Sequence, residues 1–350
     1  MRRIIKSSFA LMLIGTLLLT SGTLYFAKEK TDTKKVNNGP CSFEFEEQIG
    51  EDRSVVRTHK KRDKSRGDKE TKELLSVLGM DKKHIDDLTE QEIEDFAEAD
   101  MVMVSVSYSK VNENGDVVYL DEDTALKEAE VVNEFQEANL MNQMSGIATA
   151  SYDIDVSLDS YMKITYSVRI NGEKCESIVI GEWLTMPFFR AYDSIGACAK
   201  YISITPGTAQ CSITYDCTIT ANGKSKTEKK TITPSKIEED TSNGWSGIAA
   251  VFSLPLDAIQ SSDNIFNVDS SSIINSNLVA IFKYQGKIEL PDQRLNFNAL
   301  ATYTHMTVGV QLTTPGVSVA KDGANFGIGL DVIWGKDKRT VLLEINYVPS

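Results

Sequence analysis

Residues 210–224 constrain this chain more than any other stretch. Cys211, Ile213, Tyr215, Cys217 and Ile219 alternate with Ser212, Thr214, Asp216, Thr218 and Thr220, and Asn222-Gly223 follows. Period-two alternation with one polar face predicts a half-buried antiparallel strand. The Asn-Gly pair then predicts a two-residue hairpin, because both turn positions need positive φ. Two cysteines point to the packed side, and Cys175 and Cys198 lie just upstream.

The same pattern recurs from residue 147 onward. Ile164, Tyr166, Val168 and Ile170 alternate with Lys163, Thr165, Ser167 and Arg169 before Asn171-Gly172, and Ile154, Val156 and Leu158 alternate with aspartates. Further strands are expected over residues 178–184, 245–254, 278–284, 301–312, 326–334 and 340–348. Nine or ten strands joined by short turns predict two packed antiparallel sheets, a C-terminal β-sandwich spanning 147–350.

Residues 73–146 read differently. Leu74, Leu75, Val77 and Leu78 mark a short helix closed by Gly79, and Thr89 with Glu92 forms a capping box ahead of Ile93, Phe96 and Ala97. Two strands, 101–111 and 116–120, are expected about Asn114-Gly115. A helix over 124–144 follows, with Leu126, Ala129, Val132, Phe135 and Leu140 as its apolar stripe. This segment carries 4 basic and 19 acidic side chains. It is read as a small acidic α/β module, so the fold class is mainly β. Asn112, Asn114 and Asp116 have the spacing of a calcium loop, but Val117 stands where an EF-hand needs glycine.

Leu75 to Met80, Ile85, Leu88 and the capped run from Thr89 to Phe96 resemble a short helical pair near the start of many exported proteins of Gram-positive bacteria. Some of these are similar to large bacteriocin-like proteins of the geobacillin type. The resemblance covers about thirty residues and implies an exported, antagonistic protein. It brings no catalytic residues with it.

The N-terminus agrees with export. Arg2, Arg3 and Lys6 precede the uncharged residues 9–20, the layout of a secretory signal. Cleavage is expected after Ala27 or near Gly22; Thr23 stands where a lipid anchor would need cysteine. The rival is an uncleaved anchor over residues 9–27, but Gly15, Gly22 and several hydroxyl residues interrupt it. Residues 28–72 are polar without a sustained period, and are read as a disordered leader or linker. Its basic run, Arg57, His59, Lys60, Lys61, Arg62, Lys64 and Arg66, suits either solvation or proteolytic processing.

Chemistry-bearing constellations are scarce. The net charge of −13 offers no cationic face to a phosphate backbone, so nucleic acid is not an expected partner. Of three histidines only His305 lies in the β region, where Tyr303, His305, Thr307 and Gln311 read as a solvent face. No cofactor, metal or catalytic residue is assigned. The cysteines lack the close pairing of a zinc site, and export favours disulfides. Cys211 and Cys217 lie roughly 20 Å apart on one extended strand, so they cannot join each other. Two pairings remain open: Cys175–Cys211 with Cys198–Cys217, or Cys175–Cys217 with Cys198–Cys211.

Three functions follow in order. The first is a secreted, non-enzymatic interaction or antagonism protein, bacteriocin-like or toxin-like, touching membranes or partner proteins. The second is a cell-envelope module for glycan or protein. The third is a carboxylate-dependent hydrolase. The export reading predicts a secreted form lacking roughly its first 22 to 27 residues. Intact mass of protein recovered from culture medium checks it; full-length chain confined to membranes contradicts it.

Overall fold

Strands outnumber helices among the described residues, and the strand pairings are antiparallel. The computed structural model describes residues 32–38, 41–50, 52–60, 66–111, 116–144, 160–187, 190, 192–221, 224–242, 245–260, 271–290, 294–306, 317–318, 327–328 and 336–347. The expected signal segment with Ala27, the strand expected around Ile154, the Asn114-Gly115 and Asn222-Gly223 pairs and most of 326–334 lie outside them.

In chain order the elements begin β1 (Asp32–Asn38), β2 (Cys41–Ile49), β3 (Val55–Lys60), α1 (Asp68–Leu78), α2 (Lys82–Asp86) and α3 (Glu90–Glu98). Next come β4 (Met101–Val111), β5 (Val117–Leu120), α4 (Glu122–Met144), β6 (Ser160–Asn171), β7 (Lys174–Trp183), β8 (Tyr192–Lys200) and β9 (Ile202–Ile204). The remainder is β10 (Gln210–Ala221), β11 (Lys224–Ile232), β12 (Lys236–Ser242), β13 (Trp245–Ser253), β14 (Ala258–Gln260), β15 (Ser271–Ile288), β16 (Leu295–Met306), β17 (Val317–Ser318), β18 (Gly327–Ile328) and β19 (Lys336–Tyr347).

The larger sheet runs β1-β2-β3-β4-β6-β7-β15-β10-β11, with β5, β9 and β14 paired at its sides. The smaller runs β12-β13-β8-β16-β19. Their facing sides enclose the main core, where Tyr166, Val179, Ile213 and Phe282 of one sheet meet Ile195, Phe252, Tyr303 and Leu343 of the other. This is the expected mainly β, sandwich-like arrangement.

Helices cover the other side of the larger sheet. Leu74, Leu75 and Leu78 of α1 and Ile93 and Phe96 of α3 pack on Val102, Val104, Ile178 and Ile180. Gly79 closes α1 at φ 109, and Met80 N–H reaches back to the Leu75 carbonyl at 3.0 Å. A side chain at that φ would be strained, which is why glycine stands there. The Thr89–Glu92 capping box starts α3 as expected. In α4, Ala125, Ala129 and Val132 are buried against Tyr108 and Tyr161, whereas Leu126 is exposed. The stripe is thus rotated from the one predicted. No described helix is long and apolar enough to cross a membrane.

Residues 28–72 are not a disordered leader where they are described. They supply β1, β2, β3 and the start of α1, and Phe43 and Phe45 are buried with the helices. Only two aromatic side chains are needed, because the strands borrow a core built by residues far along the chain. Nor does a boundary fall at residue 146. β4 pairs with β6 from Met101↔Ile170 to Val111↔Ser160, so the acidic segment and the β region share one sheet, and one compact unit spans Thr31–Ser350.

The central strand largely follows its pattern. β10 and β11 pair up to Ala221↔Lys224, leaving two residues for the hairpin. Ile213 and Cys217 are buried, while Ile219, nearer the tip, is 41% exposed. The earlier hairpin turns one residue later than expected: Asn171 pairs with Lys174, and Gly172 takes φ 56. Cys175 therefore opposes Ile170.

Neither disulfide pairing forms; no disulfide joins any two of Cys175, Cys198, Cys211 and Cys217. β15 lies between β7 and β10, putting those strands two spacings, roughly 10 Å, apart. Along β15, Cys175 aligns with Gly286 and Cys211 with Phe282, adding about 13 Å. Both exceed the reach of a disulfide. Cys198 sits on the far side of the smaller sheet with Trp245 and Ala249. Burial pushes the thiols of Cys175 and Cys211 up to about 12, which keeps them protonated and unreactive.

If β2 is integral to the core, Phe43→Ala should cost about 3–5 kcal/mol. Urea unfolding checks this; a change within 0.5 kcal/mol, on the order of a surface substitution, would return the segment to the status of a leader.

Candidate functional site

His305 does not lie on a solvent face. Ala299, Ala301, Tyr303 and His305 of β16 all point into the sandwich, and His305 is 2% exposed. Its cross-strand neighbour on β8 is Asp193, whose Oδ1 lies 2.7 Å from His305 Nδ1. Asp193 Oδ2 accepts from the Tyr303 hydroxyl at 2.5 Å and from Trp183 Nε1 at 3.3 Å. Trp183 Nε1 also donates to the Tyr303 oxygen at 3.0 Å. Arg339 of β19 stacks its guanidinium 4.6 Å from the Trp183 ring and donates to Ser160 Oγ and Met162 Sδ of β6.

The network joins the two sheets, since Trp183, Met162 and Ser160 belong to the larger and Asp193, His305, Tyr303 and Arg339 to the smaller. Burial, reinforced by Asp193, pushes the Tyr303 phenol far above its ordinary value, so it stays a donor. A carboxylate out of water is tolerable only when its lone pairs are bonded, and here three side chains converge on one. The carboxylate–imidazole pair resembles half of a catalytic triad. It is sealed inside the sandwich, where its role is to hold the sheets in register.

Trp183, Asp193 and Arg339 escape a motif search, but one signal marks them. Asp193 is in phase with Ile195, Ala197 and Ala199, and Arg339 with Val341, Leu343 and Ile345. A charge at the end of an apolar alternation points inward.

Trp183 also forms one wall of an open cleft of about 510 Å³. Its lining includes Asn133 and Gln136 of α4, Thr218, Thr220 and Ser225 of the β10–β11 hairpin, and Asn275, Ser276 and Asn277 of β15. Arg190 Nη1 donates to Asp257 at 2.7 Å at its rim, and Asp257 in turn accepts from the Asn275 backbone at 2.7 Å. The hydroxyls are paired across the hairpin, Thr218 with Thr227 and Thr220 with Ser225, each at 2.8 Å. Hydroxyls and amides in this density can exchange hydrogen bonds with a polar ligand. Met186 and Ile274 supply the apolar patches.

Among the four cysteines singled out in the sequence, none lines this cleft. Possible metal ligands gather elsewhere, at Asp81, His84 and Glu182.

The class defined by this architecture is a helix-covered antiparallel β-sandwich. No family model matches the sequence, and no curated protein matches it either. Among solved structures, the chain is similar to one titled "AvmM Catalyzes Macrocyclization in Alchivemycin A Biosynthesis". Identity is 11%, with 51% of this chain and 83% of that chain covered and a TM-score of 0.19. A likeness so slight carries no argument about this protein.

Replacing Asp193 by asparagine should destabilise the protein by about 3–5 kcal/mol, because an amide cannot accept from His305, Tyr303 and Trp183 together. The urea midpoint measures it; a midpoint shift no larger than that of a surface Asp→Asn control would remove the network from the fold's supports.

Proposed function

We propose that this is an exported protein that acts by binding rather than by catalysis, an interaction or antagonism protein of the bacteriocin-like or toxin-like kind. One observation carries the reading: the cleft beside Trp183 is open and lined by hydroxyl and amide groups, whereas the carboxylate–imidazole pair behind it is sealed. A binding protein needs the first and has no use for an exposed version of the second. The charged start of the chain and the uncharged residues 9–20 support export.

The cleft lining favours a second reading, a cell-envelope module whose ligand is a glycan. Sugars present many hydroxyls at fixed spacing, and side chains such as Gln136, Thr220 and Asn277 match them donor for acceptor.

A glycan array with purified peptidoglycan, run beside dye release from liposomes, separates the two. Glycan binding is expected to fall at least tenfold, about 1.4 kcal/mol, in Ser225→Trp, where an exposed position lets the indole fill the cleft without unfolding the chain. Dye release without glycan binding, lost in Ser225→Trp, supports antagonism at the membrane through the cleft; dye release that survives the substitution separates that activity from the cleft. Neither activity in the mature protein overturns both readings.

A further inference from the structure

A second polar cluster lies on the helix-covered side of the larger sheet, away from the cleft and the sandwich core. Asp81 immediately precedes α2, His84 lies within α2, and Glu182 lies near the end of β7. Glu182 pairs across the sheet with Lys163 of β6, and Lys163 with Tyr108 of β4. One donor atom from each of Asp81, His84 and Glu182 lies within 4.8 Å of the other two.

His84 and Glu182 are each 4% exposed. His84 Nε2 approaches Glu182 Oε2 to 3.2 Å, yet neither ring nitrogen makes a hydrogen bond of sound geometry, and neither does that carboxylate oxygen. Leaving such atoms buried and unbonded is unfavourable, because their lost contacts with water go unreplaced. Without an ion, a proton on Nε2 faces Glu182; in the tautomer protonated on Nδ1, Nε2 instead offers its electron pair toward the carboxylate. A cation placed between them would satisfy all three groups at once.

The geometry fits an ion of modest size. At zinc–ligand distances of about 2.0–2.2 Å, tetrahedral ligands stand roughly 3.4 Å apart. Asp81, partly exposed and outside the helix, can close the remaining gap by side-chain rotation. One nitrogen with two carboxylates suits zinc or manganese rather than calcium, which takes oxygen alone. His84, though neither Asp81 nor Glu182, also lines a neighbouring cavity of about 420 Å³.

Two ammonium groups now neutralise the carboxylates: Lys163 donates to Asp81 Oδ1 at 2.6 Å, and Lys83 pairs with Glu182. Lys83 is the displaceable one, since its side chain is 58% exposed and can swing into water. Lys163 is buried and leaves the second Asp81 oxygen available.

We propose that Asp81, His84 and Glu182 form a binding site for a divalent transition-metal ion of the zinc class, which pins α2 to β7 and displaces Lys83. Titration calorimetry of the metal-stripped full chain with Zn²⁺ tests this. One ion per chain is expected, with a raised melting temperature. Affinity should fall at least 100-fold in His84→Gln and in Glu182→Gln, and should tighten several-fold in Lys83→Ala, where the competing ammonium is gone. Co²⁺ substitution should give a spectrum without a thiolate charge-transfer band, separating this site from the cysteines. No stoichiometric binding, or binding unchanged in both ligand variants, means that only water or a proton fills the gap and overturns the proposal. If a ligand variant fails to fold by circular dichroism, Lys83→Ala decides: unchanged affinity overturns it equally.

Discussion

The middle of the larger sheet, β4, β6 and β7, is buried on both sides, and most of the structure answers to that. β6 carries polar residues at alternate positions, as a strand with one wet face would, and β7 adds Glu176 and Glu182 to the same face. Helices α1 to α3 cover that face, so Lys163, Arg169, Glu176 and Glu182 are removed from water. Lys163, Arg169 and Glu182 take partners from the covering layer, while Glu176 pairs with Arg169 beside it on the sheet. Arg169 donates to Asp95 at 2.7 Å and to the Glu92 carbonyl at 2.8 Å, and its guanidinium lies 4.7 Å from the Phe96 ring. Lys163 takes Asp81, and Glu182 takes Lys83. Burial alone would raise the Glu182 carboxyl, but His84 and Lys83 outweigh it and hold it low.

Such pairs add little net stability compared with apolar contacts of equal size, because desolvation offsets most of their attraction. They act on placement instead. A helix that slid by one turn over the sheet would take Asp81 from Lys163 and Asp95 from Arg169, leaving Arg169 only Glu176 beside it, at several kcal/mol for the lost partners. Apolar side chains such as Leu75 and Ile93 tolerate small slips; these ion pairs do not. The polar row therefore fixes where α2 and α3 sit.

The sequence made the strands legible and left their surroundings obscure. Alternation through Ile164 to Ile170 and Ile213 to Cys217 locates β6 and β10, and Gly79 and Thr89 mark helix ends, because these signals are local. What covers a face is not local. Lys163 and Arg169 look solvent-facing until helices some seventy residues earlier are laid over them. His305 is hidden for the same reason: Thr307 and Gln311 suggest a wet face, while Asp193, over a hundred residues away, gives the imidazole a buried partner. The error over residues 28–72 is of this kind too, since Phe43 and Phe45 suffice only where another segment supplies the core. The cleft was invisible throughout, because α4, the hairpin and β15 meet there only in the folded chain.

Trp183 connects the sandwich's interior to that cleft, and the connection bears on binding. Its indole N–H is held by Asp193 and Tyr303, and Arg339 lies against its ring, so the wall it presents has one rotamer. The hairpin opposite is braced by its own hydroxyl ladder, Thr218 with Thr227 and Thr220 with Ser225. A ligand entering between them orders few side chains that were not already ordered. Each rotamer-rich side chain immobilised on binding costs about 0.5–1.5 kcal/mol, and here that cost is met during folding. Should the cleft bind a ligand as proposed, the buried network serves that binding indirectly: it spends stability on fixing a residue of the cleft lining, where a loosely packed tryptophan would leave the site to be assembled by its ligand.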